Sequence, residues 1–460
     1  MSNLHKMRGH AIVVGASIAG LCAAQVLSDH YQRVTVVERD ELPDTPTNRA
    51  AVPQGRHLHL LMARGGQELG DLFPGLLDDM VAAGVPKLAN RPDCIYFGGA
   101  GHILGTASYL RKPFTAYVPS RPHLEWQLRG RVRNLKNTTI VRRSVAEPRY
   151  DPTLERVIGV VLDPDPSASA TEPAGTPEFL AADLVVDASG RGSRLPGWLT
   201  QWGYQRPPEE VIDVGISYAS HFARIPDGMI DEKVIVNGAS RDQPLGLGML
   251  RYEDRTWILT TFGVAKVKPP ATFDQMRALA IELLPARFSA ALQHAEPVGS
   301  PAFHSFPTSR WRRYHKLDRY PAGIVPFGDA VASFNPTFGQ GMTMASLQAG
   351  QLRQALQSPG DHLAVTLNRA TARTLRPVWR MNAVVDTSFH HAAGPTSWWY
   401  RPAGWLFDRI LAAAETEPVL AEWFLRRFSL LDNLYLVPPP MVVGRAITHD
   451  VRRSLAARRQ

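Results

Sequence analysis

The N-terminal region of the chain carries a glycine-rich turn between a predicted strand and a predicted helix. Residues 10–14 form a short apolar run typical of a buried parallel strand, residues 18–28 are compatible with a helix, and residues 33–38 predict a second strand. The glycines of the turn allow a tight bend and a close helix–strand approach, and the helix N-terminus offers N–H groups to a pyrophosphate. An acid at the end of the second strand is placed to bond ribose hydroxyls. The pattern therefore predicts a Rossmann-type nucleotide site with contacts from Gly15, Ala16, Ser17, Ala19, Gly20, Glu38 and Arg39.

A second glycine-rich segment follows a strand predicted at residues 322–327. An ordinary strand–turn–helix connection explains its glycines, but not an aspartate, a proline and glycines together at these offsets: Gly328, Asp329, Pro336, Gly339, Gly341 and Met342. Here the sequence resembles the second FAD fingerprint of the para-hydroxybenzoate hydroxylase-like (class A) flavin monooxygenases. The resemblance implies non-covalent FAD, with Asp329 on the ribityl chain. It also implies that the N–H groups of the loop face the N1/O2 edge of the flavin.

Two further segments resemble the same family. The helix start at Ser120-Arg121 resembles the one whose arginine contacts the FAD phosphates, and Val145 is also a predicted cofactor contact. Residues 186–193 resemble the middle motif that serves both FAD and NAD(P)H, but Ser189 stands where the family has an aspartate. The electron donor is therefore left open between NADPH and NADH, used directly or through a separate flavin reductase.

The most distinctive stretch is residues 52–59. It resembles a segment of the flavin epoxidases of polyether polyketide biosynthesis, which implies that Arg56 lies near the FAD phosphates or the flavin ring. His57 and His59 have an H-x-H spacing, but no third ligand is evident, so no metal site is expected and a packed, hydrogen-bonded histidine is the favoured interpretation. The resemblance covers roughly residues 10 to 355.

These segments predict an α/β fold: a Rossmann-type FAD-binding domain (GR2-like) with an inserted antiparallel β-sheet substrate domain and a helical C-terminal region. The alternating residues 211–263 are typical of antiparallel strands. The FAD-binding domain is predicted to consist of three separate segments, at 1–88, 108–205 and 318–375. Strands at 89–107 join it to the substrate domain, the substrate sheet occupies 206–317, and the helical region occupies 376–460.

The antiparallel segment is predicted to form the sheet over the flavin. Its large side chains are interpreted as core residues or as substrate contacts: Tyr218, His221, Phe222, Met249, Trp257 and Phe262. The resemblance implies a monooxygenase that inserts one oxygen from O2, through a flavin C4a-hydroperoxide, into a bulky apolar polyketide, terpenoid or aromatic substrate. The reaction is expected to be an epoxidation or a hydroxylation, and no catalytic acid or base is assigned. A geranylgeranyl-reductase-like enzyme that saturates alkenes and a redox-inactive FAD-binding protein remain alternatives.

Charge and cysteine usage bear on partners and location. The net charge of +9 comes mostly from arginine, and no lysine–arginine run is dense enough to indicate nucleic-acid binding, although a carrier protein is a conceivable anionic partner. Two cysteines without a CxxC spacing predict neither a disulfide scaffold nor structural zinc, and the apolar stretch 11–27 is broken by glycines. We expect a cytoplasmic protein.

The tail after Gly444 is predicted to be an amphipathic helix. It places Ile447, Val451 and Leu455 on one face, with arginines around them. Docking of this face on the parent domain is the favoured interpretation, and contact with a membrane surface is the alternative.

Overall fold

The fold was analysed in a computed structural model that describes residues 8–50, 52–89, 94–106, 110–164, 177–357, 362–389, 394, 397–432 and 437–457. The helices, in chain order, are α1 (Ile18–Ser28), α2 (Ala63–Leu72), α3 (Leu76–Ala82), α4 (Arg121–Arg133), α5 (Leu195–Gln201), α6 (Phe273–Leu283), α7 (Ser289–Gln293), α8 (Gly341–Gln357), α9 (Leu363–Asp386), α10 (Tyr400–Ala414), α11 (Pro418–Phe428) and α12 (Pro440–Ala457). The strands are β1 (Arg8–Val14), β2 (Tyr31–Glu38), β3 (Lys87–Ala89), β4 (Ile95–Gly99), β5 (His102–Ile103), β6 (Thr115–Tyr117), β7 (Thr138–Arg142), β8 (Val145–Asp151), β9 (Arg156–Leu162), β10 (Glu178–Ala181), β11 (Leu184–Asp187), β12 (Glu209–Arg224), β13 (Val234–Asn237), β14 (Leu245–Arg251), β15 (Trp257–Gly263), β16 (Glu296–Arg312), β17 (Ile324–Pro326) and β18 (Ala332–Ser333).

A parallel sheet in the order β17-β11-β1-β2-β7 forms one half of the molecule. Both of its faces are covered, as continuous apolar strands require. In β1, Ala11 and Val13 pack into a core with α1, α2 and α8, whereas Ile12 points to the opposite face and packs with β9 and β11. An antiparallel sheet in the order β10-β9-β8 contributes to this second core. The predicted Rossmann-type unit is confirmed.

An eight-stranded sheet forms the other half, in the order β18-β16-β12-β15-β14-β13-β4-β5. Its pairs are antiparallel except β13 with β4, which run parallel. The antiparallel strands predicted within residues 211–263 include β14 and β15, which form a hairpin, and Arg255 adopts a left-handed backbone conformation in its turn, with φ of 64°. The second sheet of the predicted fold class is therefore confirmed.

Helices α9 to α12 form the C-terminal region. Helix α9 continues through Pro377, so the boundary predicted between 375 and 376 falls inside a helix. A proline inside a helix loses one backbone hydrogen bond, and here the next two residues, Val378 and Trp379, are fully buried and hold the helix in place.

Helix α12 packs on α10 through its buried residues Val442 and Ala446. The predicted docking face was wrong, because Ile447, Val451 and Leu455 are about half exposed. The face of α12 that carries Val442 and Ala446 packs on α10. The spacing of apolar residues alone did not distinguish this face from the one that carries Ile447, Val451 and Leu455. No described helix combines the length and the apolar character needed to cross a lipid bilayer.

Candidate cofactor and substrate cavity

A cavity of about 1080 Å³ lies between the parallel sheet, the eight-stranded sheet and the C-terminal helices. We call the region lined by the β1–α1 turn the nucleotide end, the region beside residues 335–342 the loop region, and the region between β13, β14, α10 and α11 the apolar end. All three regions belong to the same cavity.

Close backbone contacts shape the nucleotide end. Gly15 has φ of +102°, and a Cβ atom there would lie 2.7 Å from the carbonyl oxygen of Ala188. At Gly20 a Cβ would lie 1.8 Å from the carbonyl oxygen of Gly15. Only glycine is compatible with this turn, which directs the N-terminus of α1 toward the cavity.

The acidic residue at the end of β2 already has backbone partners. Glu38 accepts a hydrogen bond from the N–H of Ala16 at 2.7 Å through Oε2 and one from the N–H of Asp40 at 3.0 Å through Oε1. A guanidinium nitrogen of Arg49 lies 3.3 Å from the same carboxylate. Glu38 therefore fixes the glycine-rich turn and presents a carboxylate at the cavity wall.

Two arginines and a second buried acid surround this turn. Arg49 donates to Glu125 at 3.2 Å, and Arg121 donates to Ser17 Oγ at 2.8 Å and to Glu125 at 3.2 Å. The Nε of Arg121 is buried and has no hydrogen-bond partner among the described residues. The pKa of Glu125 is lowered because Arg121 and Arg49 together outweigh the effect of burial. The two guanidinium groups supply positive charge where a pyrophosphate would bind.

The chain between the end of β17 and the start of α8 lines the loop region and the neighbouring part of the cavity. Asp329 opens toward the cavity, and desolvation by the surrounding protein raises its pKa, while Arg121 and Arg191 act in the opposite direction. Gly341 begins α8, and a Cβ atom there would meet no heavy atom within 4 Å. The protein thus leaves open space in front of the N-terminus of α8.

His57 and His59, one of which was predicted to be packed and hydrogen-bonded, both line the cavity. His57 shares a hydrogen bond of 2.8 Å between Nδ1 and Ser220 Oγ, and burial is the main cause that lowers its pKa to about 3. His59 donates from Nδ1 to the carbonyl oxygen of His57 at 2.9 Å, and burial lowers its pKa to about 4. Within the described residues, no three His, Cys, Asp or Glu side chains form a group that could hold a metal ion.

The apolar end is closed by both sheet and helix residues. Of the six large side chains predicted for the sheet, Tyr218 and Phe262 line the cavity. Met249 and Trp257 instead belong to a core behind the sheet. The C-terminal helices contribute a set of apolar residues that sequence analysis missed, because their spacing resembles ordinary helix packing: Phe407, Leu411, Phe424, Leu425 and Phe428.

The structure brings most of the predicted cofactor residues to this one cavity. Those that line it are Gly15, Ser17, Ala19, Glu38, Arg39, Arg121, Val145, Asp329, Pro336, Gly339, Gly341 and Met342. Ala16, Gly20 and Gly328 lie behind the lining and shape it through the backbone. Arg56 is exposed and does not line the cavity. Arg49 and Glu125 were missed, since only the i,i+4 spacing of Arg121 and Glu125 on α4 hinted at a pair.

These features suit FAD. An anion would face the N-terminus of α1 with Arg49 and Arg121, and the open space at Gly341 would admit a flat ring against the N-terminus of α8.

Comparisons with solved structures give the class of fold. The flavin-dependent brominase Bmp2 matches with a TM-score of 0.61 at 14% identity, over 96% of this chain and 100% of that one. PqsL of Pseudomonas aeruginosa, described as a probable FAD-dependent monooxygenase, matches with a TM-score of 0.58 at 15% identity, over 83% of this chain and 96% of that one. The fold is that of the FAD-dependent monooxygenases, with a helical C-terminal region.

Sequence comparison gives the family. The chain is 68% identical over 459 residues to protein Rv3254 of Mycobacterium tuberculosis (strain ATCC 25618 / H37Rv), covering 98% of this chain and 96% of that protein. Residues 394–460 match the model of the Mycobacterium Rv3254 C-terminal domain. The chain belongs to the Rv3254 family. A more distant relative is kynurenine 3-monooxygenase of Salinispora arenicola (strain CNS-205), 26% identical over 396 residues, or 80% of this chain and 77% of that enzyme.

Proposed function

We propose that this protein is an FAD-dependent monooxygenase that transfers one oxygen atom from O2 to a bulky, largely apolar substrate. The observation that carries the proposal is that one cavity is lined by Arg121 and the N-terminus of α1 at its nucleotide end and by Phe407 and Phe424 at its apolar end. A nucleotide cofactor and an apolar substrate can therefore meet in one cavity.

The residues have separate tasks in this proposal. The N–H groups at the start of α1, together with Arg49 and Arg121, bind the pyrophosphate, and Glu38 or Arg39 faces the ribose. Asp329 bonds the ribityl chain, and the N-terminus of α8 stabilises negative charge on the flavin ring. Bound FAD, once reduced by a nicotinamide or by a flavin reductase, would pass electrons to O2 and so activate it. The apolar end orients the substrate and excludes water.

The relatives agree with this proposal in general character. The distant relative kynurenine 3-monooxygenase and the probable FAD-dependent monooxygenase PqsL are named for oxygen insertion, and Bmp2 is named for bromination. The oxygen transfer is an epoxidation or a hydroxylation. Electrons come from NADPH or NADH, either directly or through a flavin reductase, and the enzyme would work in the cytoplasm, where nicotinamides are regenerated.

The first experiment follows the visible spectrum of the purified protein with FAD. The protein is made anaerobic and given NADPH, then NADH, then dithionite, before O2 is readmitted in the presence of candidate polyketide, terpenoid and aromatic compounds. Product formed under labelled O2 is analysed by mass spectrometry. We expect bleaching by a reductant and one labelled oxygen atom in the product.

Each other outcome points elsewhere. A product that gains two hydrogens and no oxygen would indicate a geranylgeranyl-reductase-like enzyme. Yellow protein that even dithionite cannot reduce would indicate a redox-inactive FAD-binding protein. A brominated product formed only with added bromide would indicate a halogenase. Protein that binds no FAD would overturn the proposal.

A further inference from the structure

Four buried polar side chains form one patch of the cavity wall. Asn335 and Gln340 come from the loop region, and Asn382 and Asp386 come from the last turns of α9. Each has at most 5% of its surface exposed. We call these four residues the amide–carboxyl cluster.

Hydrogen bonds inside the cluster hold the side chains in place. Asn335 donates from Nδ2 to Asp386 Oδ1 at 2.7 Å, and its own Oδ1 accepts from the N–H of Thr337 at 3.0 Å. Asn382 donates from Nδ2 to Gln340 Oε1 at 2.9 Å. The cluster is thus rigidly attached to the loop that precedes α8.

Three polar atoms of the cluster have no partner among the described residues. They are Asp386 Oδ2, Asn382 Oδ1 and Gln340 Nε2, and all three are buried. If the oxygen and nitrogen were exchanged in the amides of both Asn382 and Gln340, the hydrogen bond between the two side chains would be kept. The other nitrogen and oxygen atom of the pair would then be the ones without a partner. Leaving a buried polar group without a partner costs about 1–3 kcal/mol. Three such atoms, in side chains whose residues all line one cavity, point to a ligand that completes the patch.

The charge of the patch restricts the ligand. Burial raises the pKa of Asp386 to about 7, and the hydrogen bond from Asn335 opposes this shift. No cationic side chain contributes to that pKa among the causes in the described structure. In slightly acid solution the patch is therefore neutral, with a carboxyl O–H and an amide N–H as donors and an amide oxygen as acceptor. An anionic ligand would be buried here without compensation.

We propose that the amide–carboxyl cluster binds a neutral substrate group that carries a hydrogen-bond acceptor next to a donor, such as an amide or a hydroxy-ketone. This inference rests on the proposed function, and it adds that the otherwise apolar substrate has a neutral polar group at the α9 side of the cavity. The imide edge of the flavin has the same hydrogen-bonding chemistry, so the test must separate the two.

Equilibrium dialysis at pH 6 measures binding of three probes of similar shape, with and without FAD. The probes are 1-naphthamide, which is neutral with donor and acceptor, 1-naphthoate, which is anionic, and naphthalene, which has no polar group. The variants are Asn382→Leu and Asp386→Leu. The matched control is Gln351→Leu, which breaks two part-buried amide–hydroxyl hydrogen bonds between α8 and α9, to Thr371 and Thr374, away from the cavity lining. FAD affinity is measured separately for every variant.

We expect the wild-type protein to bind naphthamide at least tenfold more tightly than naphthoate. Each cluster variant should weaken naphthamide about five- to tenfold, as loss of one buried hydrogen bond predicts, and leave naphthalene unchanged. Gln351→Leu should change the affinity for neither naphthamide nor naphthalene. Equal affinities for naphthamide and naphthoate, or variants that lower FAD affinity while naphthamide binding stays the same, would overturn the proposal. Naphthamide discrimination by a protein that binds no FAD would overturn the proposed function alone and leave this site standing.

Discussion

The Nδ1 atom of His57 lies 2.8 Å from the Oγ atom of Ser220, and this hydrogen bond ties the segment before α2 to the central strand β12. Ser220 in turn shares a hydrogen bond of 2.7 Å with the hydroxyl of Thr260 on β15. The ring of His57 also meets Tyr218 edge-on, with centroids 4.6 Å apart. A neutral imidazole is thereby fixed in the cavity wall.

The neutrality of His57 predicts a loss of stability in acid. The pKa of His57 in the folded protein is about 3, below the ordinary 6.5, mainly because of burial. Between these two pH values the unfolded chain binds a proton at His57 and the folded chain does not. The contribution of neutral His57 to the free energy of unfolding is complete above pH 6.5 and is lost as pH falls from there toward 3. Urea unfolding at pH 7, 6 and 5 should show that His57→Gln reduces the slope of stability with pH by about 1 kcal/mol per pH unit. The exposed His294, changed to Gln, is the control. Equal slopes for His57→Gln and wild type would contradict the assignment.

Arg121 and Arg56, both assigned to the cofactor by sequence analysis, should differ in their effect on FAD affinity. Arg121→Gln removes a buried guanidinium beside Ser17, and loss of a charge-assisted hydrogen bond predicts an FAD affinity lowered about ten- to a hundredfold. Arg56→Gln changes an exposed residue outside the cavity lining and should leave the affinity within about twofold. Quenching of FAD fluorescence measures both. A larger effect at Arg56 than at Arg121 would restore the position that the polyether-epoxidase resemblance implies.

Sequence analysis predicted the regions of this molecule that local pattern determines. The turn from Gly15 to Gly20 lies between a strand and a helix within one short stretch, so its geometry is encoded locally. The strands β14 and β15 are likewise indicated by the alternation of apolar and polar residues and by the polar residues of the turn between them.

Contacts between distant residues could not be predicted in this way. Arg49 meets Glu125 across 76 positions of the sequence, and Asn335 meets Asp386 across 51. Neither pair carries a spacing that a helix or strand period would reveal, and both depend on how α4 and α9 pack against the parallel-sheet domain. The polar wall of the cavity therefore became visible only in the fold.

Because of the open space at Gly341, we expect a substitution there to change the affinity for FAD without lowering the stability of the apo protein. Because a Cβ atom there meets nothing within 4 Å, Gly341→Ala should leave the apo protein as stable as wild type or up to about 1 kcal/mol more stable, since alanine favours the helix. The methyl group enters the cavity in front of α8, so FAD affinity should fall at least about tenfold if the flavin lies there.

Gly350→Ala on the same helix is the matched control for this substitution. Its Cβ would lie 3.4 Å from Glu68 Oε2, and Gly350 does not line the cavity. FAD affinity of this variant should equal that of wild type. Unchanged FAD binding by Gly341→Ala would show that the flavin does not approach the start of α8.

The buried carboxyl of Asp386 predicts a pH dependence opposite in sign to that of His57. Burial raises its folded pKa from 3.8 to about 7, so between these values the folded chain keeps a proton that the unfolded chain has released. Its effect on stability is therefore unfavourable and grows as pH rises from about 4 to 7. Asp386→Asn keeps an acceptor for Asn335 and cannot ionise, so from pH 5 to pH 8 the variant should gain on the order of 2 kcal/mol relative to wild type. Urea unfolding of the apo protein at the two pH values measures this gain, with the exposed Asp318→Asn as control. A difference between variant and wild type that does not change with pH would mean that Asp386 is ionised in the folded protein, and that the cluster could then hold a cation instead of a neutral group.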